Sequence, residues 1–239
     1  PLRMSRKTAL GAVVAAACLL FVACGGGDDN DSTATVSPAP NPNLDAGATQ
    51  QLRDLAGKWG AASTKVTYTL ASTLGSITTD TQVIVYRKSP DRRIDHISAN
   101  GTVPVIIRSD AGYSCWDKTA SCTLLSVGEA EAASEFPFVN DLADSAGLDA
   151  IIAEATALES APARKVIGRE TSCLKADGDL GGFPGEATWC FTEDGLLLAM
   201  SYTGSVQTLE MTATAIEGAK DADFDPPYPV AAIPPLPSP

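Results

Sequence analysis

The chain has 239 residues, of which 17 are lysine or arginine and 29 are aspartate or glutamate, so its formal net charge is −12. A surface this acidic repels nucleic acid, which excludes nucleic acid as a partner. With 44% apolar residues the chain can bury a core of ordinary size, and one folded domain is the simplest expectation.

Residues 1–23 have the pattern of an export signal. Arg6 and Lys7 lie just behind Met4, and a nearly uncharged apolar run extends from Ala9 to Ala23. A membrane-spanning helix needs roughly 20 apolar residues. Because the run is shorter, it predicts a cleaved signal peptide rather than a permanent membrane helix.

The apolar run ends in Leu20-Phe21-Val22-Ala23-Cys24. This segment resembles the lipobox of bacterial lipoproteins, although Phe21 stands where that family usually has leucine. The resemblance implies cleavage before Cys24 and a lipid on Cys24, which would anchor the protein to a membrane at the extracytoplasmic face of a bacterial cell envelope. Two alternatives stay open, namely an ordinary secreted protein cleaved elsewhere and cleavage before Cys18.

A tether is predicted to follow the signal. Loss of residues 1–23 removes three basic and no acidic residues, so the mature charge would be −12 − 3 = −15. Residues 24–43 are rich in Gly, Asp, Ser, Thr, Pro and Asn and show no apolar periodicity. This composition predicts a disordered acidic tether.

The folded domain is predicted to span residues 44–225 and to begin with an amphipathic helix. Apolar residues recur there at helical spacing, and Gly60 follows them as a C-cap. The apolar positions are Leu44, Ala48, Leu52, Leu55, Ala56 and Trp59.

After this helix the apolar period changes to two, which indicates an antiparallel meander of strands. Turns are predicted at Ser89-Pro90-Asp91 and Asn100-Gly101, and a tight hairpin at 115–122. The predicted strands before that hairpin cover 64–70, 82–87, 92–99 and 102–109.

Four cysteines remain after Cys18 and Cys24 are set aside, and an even number in an exported protein predicts disulfides. Sequence alone allows three connectivities. A four-residue hairpin loop would put Cys115 and Cys122 directly opposite each other, about 4.5 Å apart at Cα, which is within disulfide range. This geometry favours Cys115–Cys122 and leaves Cys173–Cys190 as the second pair.

The middle of the chain predicts one or two helices, because alanine and acidic residues dominate 129–157 and a helical apolar stripe extends to Leu158. Strands resume beyond it, with a glycine-rich loop at 176–185 and a hairpin at Glu193-Asp194-Gly195. Prolines in 226–239 predict an extended, solvated tail. The stripe is Leu148, Ile151, Ile152, Ala155 and Leu158, and the later strands cover 163–174, 186–192, 196–202 and 206–216.

This order of elements predicts an α+β fold with one antiparallel sheet of about nine strands and helices on one side of it. The chain resembles the half-barrel lipid carriers of the LolA/LolB and LppX/LprG types in this order of elements, in the stretch from Val85 to Asp95 and in the Glu-Asp-Gly-Leu-Leu hairpin at 193–197. The resemblance covers 44–225 and implies that the single sheet is curved into a half-barrel, with the helices packed on its concave side and a cavity for a lipid or acyl chain. Two disulfides depart from the simplest carriers and favour a stiffer domain.

Catalytic patterns are weak. His96 is the only histidine and lies in a predicted strand without a G-x-S-x-G elbow. Ser172 to Lys175 matches S-x-x-K, but on a strand and around Cys173, where the penicillin-binding enzymes need a helix. Asp177 to Gly181 begins like a calcium loop but lacks its later ligands. We therefore predict no enzyme, no cofactor and no metal site.

The large apolar residues of the chain are compatible with two hypotheses about function. The first is a membrane-anchored, monomeric carrier of a hydrophobic ligand, with a cavity under the sheet. The second is a structural or interaction lipoprotein of the envelope with a closed core and an unknown protein partner. Periodicity shows which residues share a face but not whether that face is filled. The candidate cavity residues are Trp59, Val66, Tyr68, Val83, Val85, Trp189 and Phe191.

Overall fold

The computed structural model describes residues 44–134, 139, 141–180 and 182–231. The predicted signal peptide and tether, with Cys24, lie outside these residues. Within the described ranges, no helix is long and apolar enough to cross a membrane.

The described chain forms a single open, curved sheet, which confirms the predicted α+β class. Two meanders, β1–β6 and β7–β11, are joined through β1 and β11, and the order across the sheet is β12-β6-β5-β4-β3-β2-β1-β11-β10-β9-β8-β7. Neighbouring strands are antiparallel except β12 and β6. The strands are β1 (Ser63–Leu74), β2 (Ile77–Lys88), β3 (Asp91–Ser98), β4 (Gly101–Ile107), β5 (Gly112–Trp116), β6 (Ser121–Leu125), β7 (Ala155–Val166), β8 (Arg169–Asp179), β9 (Pro184–Phe191), β10 (Leu197–Gly204), β11 (Gln207–Glu217) and β12 (Val230–Ala231).

Three α-helices accompany the sheet: α1 (Ala46–Ala61), α2 (Val127–Ala133) and α3 (Ser145–Glu154). Asp45 caps α1 by accepting a hydrogen bond from the Ala48 N–H at 2.7 Å. Ser126 and Glu129 form a capping box at the start of α2. Short 3-10 helices lie at Asp141–Ala143 and Asp221–Phe224.

The sheet has twelve strands rather than about nine, partly because β7 and β8 replace the single strand predicted at 163–174. Ile167 and Gly168 form the turn between them, both with positive φ (42° and 81°). A β-branched residue rarely adopts positive φ, so the isoleucine at 167 does not indicate a turn in the sequence.

The helical stripe predicted to reach Leu158 ends earlier, because α3 stops at Glu154 and β7 begins at Ala155. Ala155 and Leu158 are nevertheless both buried in the main core. A register shift in the pairing with β8 between Ala155 and Ala157 breaks the alternation of β7. The spacing of three residues at this bulge imitates a helical period.

Gly60 does not cap α1 but lies inside it. A Cβ at this position would be 2.9 Å from the carbonyl oxygen of Ala143. The glycine therefore permits close contact between α1 and the 3-10 helix Asp141–Ala143.

The main core lies on the concave face of the sheet. Leu52, Leu55 and Trp59 of α1 and Ile151 of α3 are buried there against apolar side chains of both meanders. The Tyr68 hydroxyl donates a 2.6 Å hydrogen bond to the Leu197 carbonyl within this core. α2 covers Val105 and Ile107 of β4, which share the face of Ile94.

Part of the opposite face, on the first meander, is covered by the C-terminal segment 218–231, which we call the outer strap. Phe224 is buried against Tyr86, Ile106 and the Cys115–Cys122 disulfide. The strap then reaches the sheet edge, where the Cys122 N–H donates to the Pro229 carbonyl at 2.9 Å. Val230 and Ala231 form the short strand β12 beside β6, and both remain exposed to solvent.

Two disulfides link adjacent strands. Cys115 is bonded to Cys122 between β5 and β6, and Cys173 to Cys190 between β8 and β9. In each case the two cysteines are direct partners in the strand register. This is the connectivity that hairpin geometry favours.

Paired glycine substitutions test the contact between α1 and Ala143. Gly57→Ala should raise the free energy of unfolding by up to about 1 kcal/mol, because alanine is the better helix former and a Cβ there meets nothing within 4 Å. Gly60→Ala should be less stable than Gly57→Ala by about 1–3 kcal/mol, because its methyl group would overlap the Ala143 carbonyl. Urea unfolding measures both, and equal gains would contradict the contact.

Removal of the second disulfide tests its contribution. Its half-cystines are separated by 17 positions. Cys173→Ala/Cys190→Ala should lower the free energy of unfolding by about 3 kcal/mol, because the bond no longer restricts the unfolded chain. Cys115→Ala/Cys122→Ala is the control with the shorter loop and should lose somewhat less. Free thiols at all four positions in non-reducing peptide mapping would contradict both pairings.

Candidate ligand site

The seven predicted cavity residues come together in one cluster on the concave face. None is more than 1% exposed, and the helices α1 and α3 pack against them. Their role as a ligand-binding surface stays a prediction. The cluster contains Trp59, Val66, Tyr68, Val83, Val85, Trp189 and Phe191.

A pocket of about 540 Å³ lies beside α1, and we call it the α1 groove. One wall consists of small residues of α1, and the other is formed by the segment 142–145 and Leu148. Its volume is within the range of small-ligand sites. The small residues are Ala56, Gly57, Gly60 and Ala61.

None of the seven predicted residues lines the α1 groove, but the groove adjoins them, because Ala56 and Gly60 flank Trp59 in α1. Apolar periodicity identified the face of α1 that packs on the sheet but, apart from Ala56, missed the residues of α1 that line the groove. The available signal was the presence of two glycines, Gly57 and Gly60, inside a helix. A Cβ on Gly57 would meet nothing within 4 Å, so this position faces open space.

A charged side chain lies within the core next to the groove. Arg87, near the end of β2, is only 6% exposed, and its guanidinium lies 5.2 Å from the centre of the Trp59 ring. Its Nε and Nη1 groups are buried and have no hydrogen-bond partner. Burial, with a contribution from the neighbouring charge of Arg92, lowers the pKa of Arg87 to about 10.

A second pocket of about 580 Å³ is charged rather than apolar. Lys58, Arg169, Glu193 and Asp194 line it, and these groups are engaged with one another. Lys58 Nζ donates to the Glu193 carbonyl at 2.9 Å, and Arg169 pairs with Asp194 at 3.6 Å. The charged lining makes this pocket a poor match for an apolar ligand.

The candidate catalytic residues lie in different strands of the sheet. His96 is half-buried in β3, and burial lowers its pKa although the charge of Asp95 opposes this. Ser172 and Lys175 lie in β8, so the S-x-x-K stretch is a strand. Among the described residues, no group of three or more His, Cys, Asp or Glu side chains could hold a metal ion.

Exposed apolar residues gather at two adjacent turns. Leu74 and Ile77 flank the β1–β2 turn, and Val206 lies in the β10–β11 turn; their exposures are 58%, 65% and 69%. The Gly75 N–H donates to the Val206 carbonyl at 2.9 Å, which holds the two turns together. Together they form an apolar hairpin tip.

No protein-family model matches the sequence, and no curated protein matches it. The crystal structure of an uncharacterized conserved protein from Thermus thermophilus is similar, with a TM-score of 0.50 and 8% identity over 77% of this chain and 98% of that one. This likeness shows a shared fold and nothing about activity.

A lipoprotein of the type suggested by the sequence is also among the matched structures. The Mycobacterium tuberculosis lipoprotein LppX matches with a TM-score of 0.46 and 13% identity over 71% of this chain and 95% of that one. The Pseudomonas aeruginosa MucA/MucB complex matches with a TM-score of 0.49 and 15% identity over 75% of this chain and 61% of that one.

Proposed function

We propose that this protein is a membrane-anchored extracytoplasmic lipoprotein that binds a hydrophobic ligand such as a lipid or an acyl chain. The α1 groove carries this proposal, because it combines a volume of about 540 Å³ with small residues of α1 on one side and Leu142 and Leu148 on the other. Burial of an apolar chain there gains about 25 cal/mol per Å² removed from water.

The construction of the groove fits an elongated apolar ligand. The small side chains of α1 leave space along the helix, and Leu142 and Leu148 offer apolar contact from the other side. Both leucines are themselves anchored by burial. A chain in the groove would therefore contact ordered surfaces without displacing the core.

Anchoring through Cys24 belongs to the same proposal. Nineteen residues separate Cys24 from Leu44, and a flexible chain of that length has a root-mean-square end-to-end distance of roughly 25 Å. The domain would thus stay close to the membrane that supplies its ligand. Both disulfides fit an oxidising, extracytoplasmic compartment. We assign no catalytic activity and expect a monomer.

The second candidate function is a structural or interaction lipoprotein of the envelope. The apolar hairpin tip favours it, because Leu74, Ile77 and Val206 are more than half exposed and adjacent. Such a protein would need no small-molecule ligand, and its concave core would serve packing alone.

Ligand binding is tested with the exported full chain carrying Cys24→Ser. We expect lipid in an organic extract, detected by mass spectrometry, and saturable binding of a fluorescent fatty acid. Gly57→Phe should weaken binding at least tenfold, because the ring would enter the groove from a position with free space. Gly128→Phe is the matched control, since a Cβ on Gly128 of α2 also meets nothing within 4 Å.

An empty extract without probe binding would overturn the carrier proposal and favour the interaction lipoprotein. Binding that Gly57→Phe leaves unchanged would show that the ligand lies outside the α1 groove.

Lipidation is tested by metabolic labelling with a radioactive fatty acid. The wild-type chain should incorporate label and fractionate with membranes, whereas Cys24→Ser should lose both properties because the thiol that accepts the lipid is gone. Cys18→Ser should behave as wild type. Loss of label from Cys18→Ser alone would assign the lipid to Cys18.

A further inference from the structure

Arg87 carries a positive charge into the concave core without a counterion among the described residues. It follows Val83 and Val85 in the alternation of β2, so its side chain lies on the same face. Its Nε and Nη1 groups have no acceptor. An unpaired buried charge is unfavourable, which calls for an explanation beyond packing.

The polar groups around Arg87 do not neutralise it. Tyr68 donates its hydroxyl to the Leu197 carbonyl at 2.6 Å, and Thr64 donates its hydroxyl to the Glu217 carbonyl at 3.2 Å. Arg92, the cross-strand partner of Arg87 in β3, adds a second positive charge.

Other unsatisfied donors lie beside Arg87. Arg92 pairs with Glu131, yet its buried Nε has no hydrogen-bond partner. The indole Nε1 of Trp59, over whose ring the Arg87 guanidinium lies, is also buried without a partner. We call Arg87, Arg92 and Trp59 the donor cluster. All these unsatisfied atoms are hydrogen-bond donors, so a group that satisfies them must be a hydrogen-bond acceptor. The positive charge of Arg87 favours an acceptor that is an anion.

The donor cluster adjoins the α1 groove. Ser89, two residues after Arg87, lines the groove, as do Ala56 and Gly60 on either side of Trp59 in α1. Chain neighbours of Arg87 and Trp59 thus line the groove, which places the donor cluster behind one part of its wall.

We propose that the donor cluster binds the anionic head group, a carboxylate or a phosphate, of an amphiphile whose apolar chain occupies the α1 groove. This inference rests on the proposed carrier function and specifies its ligand class. The planar guanidinium of Arg87 suits two acceptor oxygens of such a group. With a pKa of about 10, Arg87 is protonated at neutral pH.

The test compares ligands of one chain length on the full chain carrying Cys24→Ser. Dodecanoate and dodecyl phosphate represent a fatty acid and a phospholipid headgroup, and dodecanol is the neutral analogue. Wild type should bind the tighter of the two anions at least about tenfold more strongly than dodecanol, as expected for hydrogen bonds to a charged group. The tighter anion identifies the source of the head group.

Arg87→Met should abolish this preference while dodecanol binding stays as in wild type. Arg108→Met is the control: Arg108 does not line the groove, is partly exposed and pairs with Asp225 at 3.2 Å. It should keep the preference. Without ligand, Arg87→Met should unfold at no lower urea concentration than wild type, because methionine replaces an unpaired buried charge.

Each outcome has a defined meaning. Binding of none of the three ligands overturns the carrier function together with this inference. Equal binding of all three by wild type, or a preference retained by Arg87→Met, overturns the inference alone. If Arg87→Met does not fold, Arg87→Lys is the deciding variant, because lysine keeps the charge but lacks the planar guanidinium. Arg87→Lys should prefer the anion over dodecanol less strongly than wild type does. A preference equal to that of wild type would contradict the assignment.

Discussion

β1 pairs with β2 along one edge and with β11 along the other, and this single strand joins two meanders into one sheet. The ladder between β1 and β11 joins residues far apart in the chain, from Lys65 opposite Glu217 to Leu74 opposite Gln207. Without it, each meander would be a small sheet with two open edges. The joined sheet offers a concave face wide enough for α1 and α3. The Tyr68 hydrogen bond to Leu197 reaches across β11 and ties that face together.

In the first meander, helices cover the concave face and the outer strap covers the part of the other face around Tyr86 and Ile106. This explains why β2 is apolar on both sides, with Val83 and Val85 in the main core and Tyr86 in the cluster around Phe224. The two sheet edges are protected differently. β12 covers β6, whereas β7 exposes charged side chains that oppose pairing with another chain.

The concave side has two environments. Below α1, the buried aromatic and aliphatic side chains fill the space and hold the helix. Beside α1, small residues leave the groove, and Arg87 lies between these environments with its guanidinium over Trp59. Trp59 is therefore part of the buried core and at the same time contacts the Arg87 guanidinium with its ring. A domain built this way can keep a packed core and still offer an apolar surface for a ligand.

The sequence predicted most of the fold because local chemistry controls it. Alternating apolar residues located the strands around Val66, Val83 and Leu209, and the two hairpins with cysteines favoured the disulfide pairs that the structure contains. Local signals failed at two places. Isoleucine at 167 gave no indication of a turn, and the residue spacing at the bulge near Ala155 resembled that of a helix. Alternation in β2 puts Arg87 on the same face as Val83 and Val85. The sequence pattern therefore contained a signal for the burial of Arg87, which the predictions from sequence did not use.

By itself, the sequence determined the α+β class, most of the order of elements and the residues that share the concave face, and it predicts an export signal. Only the tertiary structure decided that α1 and α3 fill that face, that the groove forms on the other side of α1, and that Arg87 has no counterion among the described residues there. These features depend on contacts between residues such as Gly60 and Ala143, far apart in the chain. Periodicity reports the direction of a side chain but not what lies opposite it.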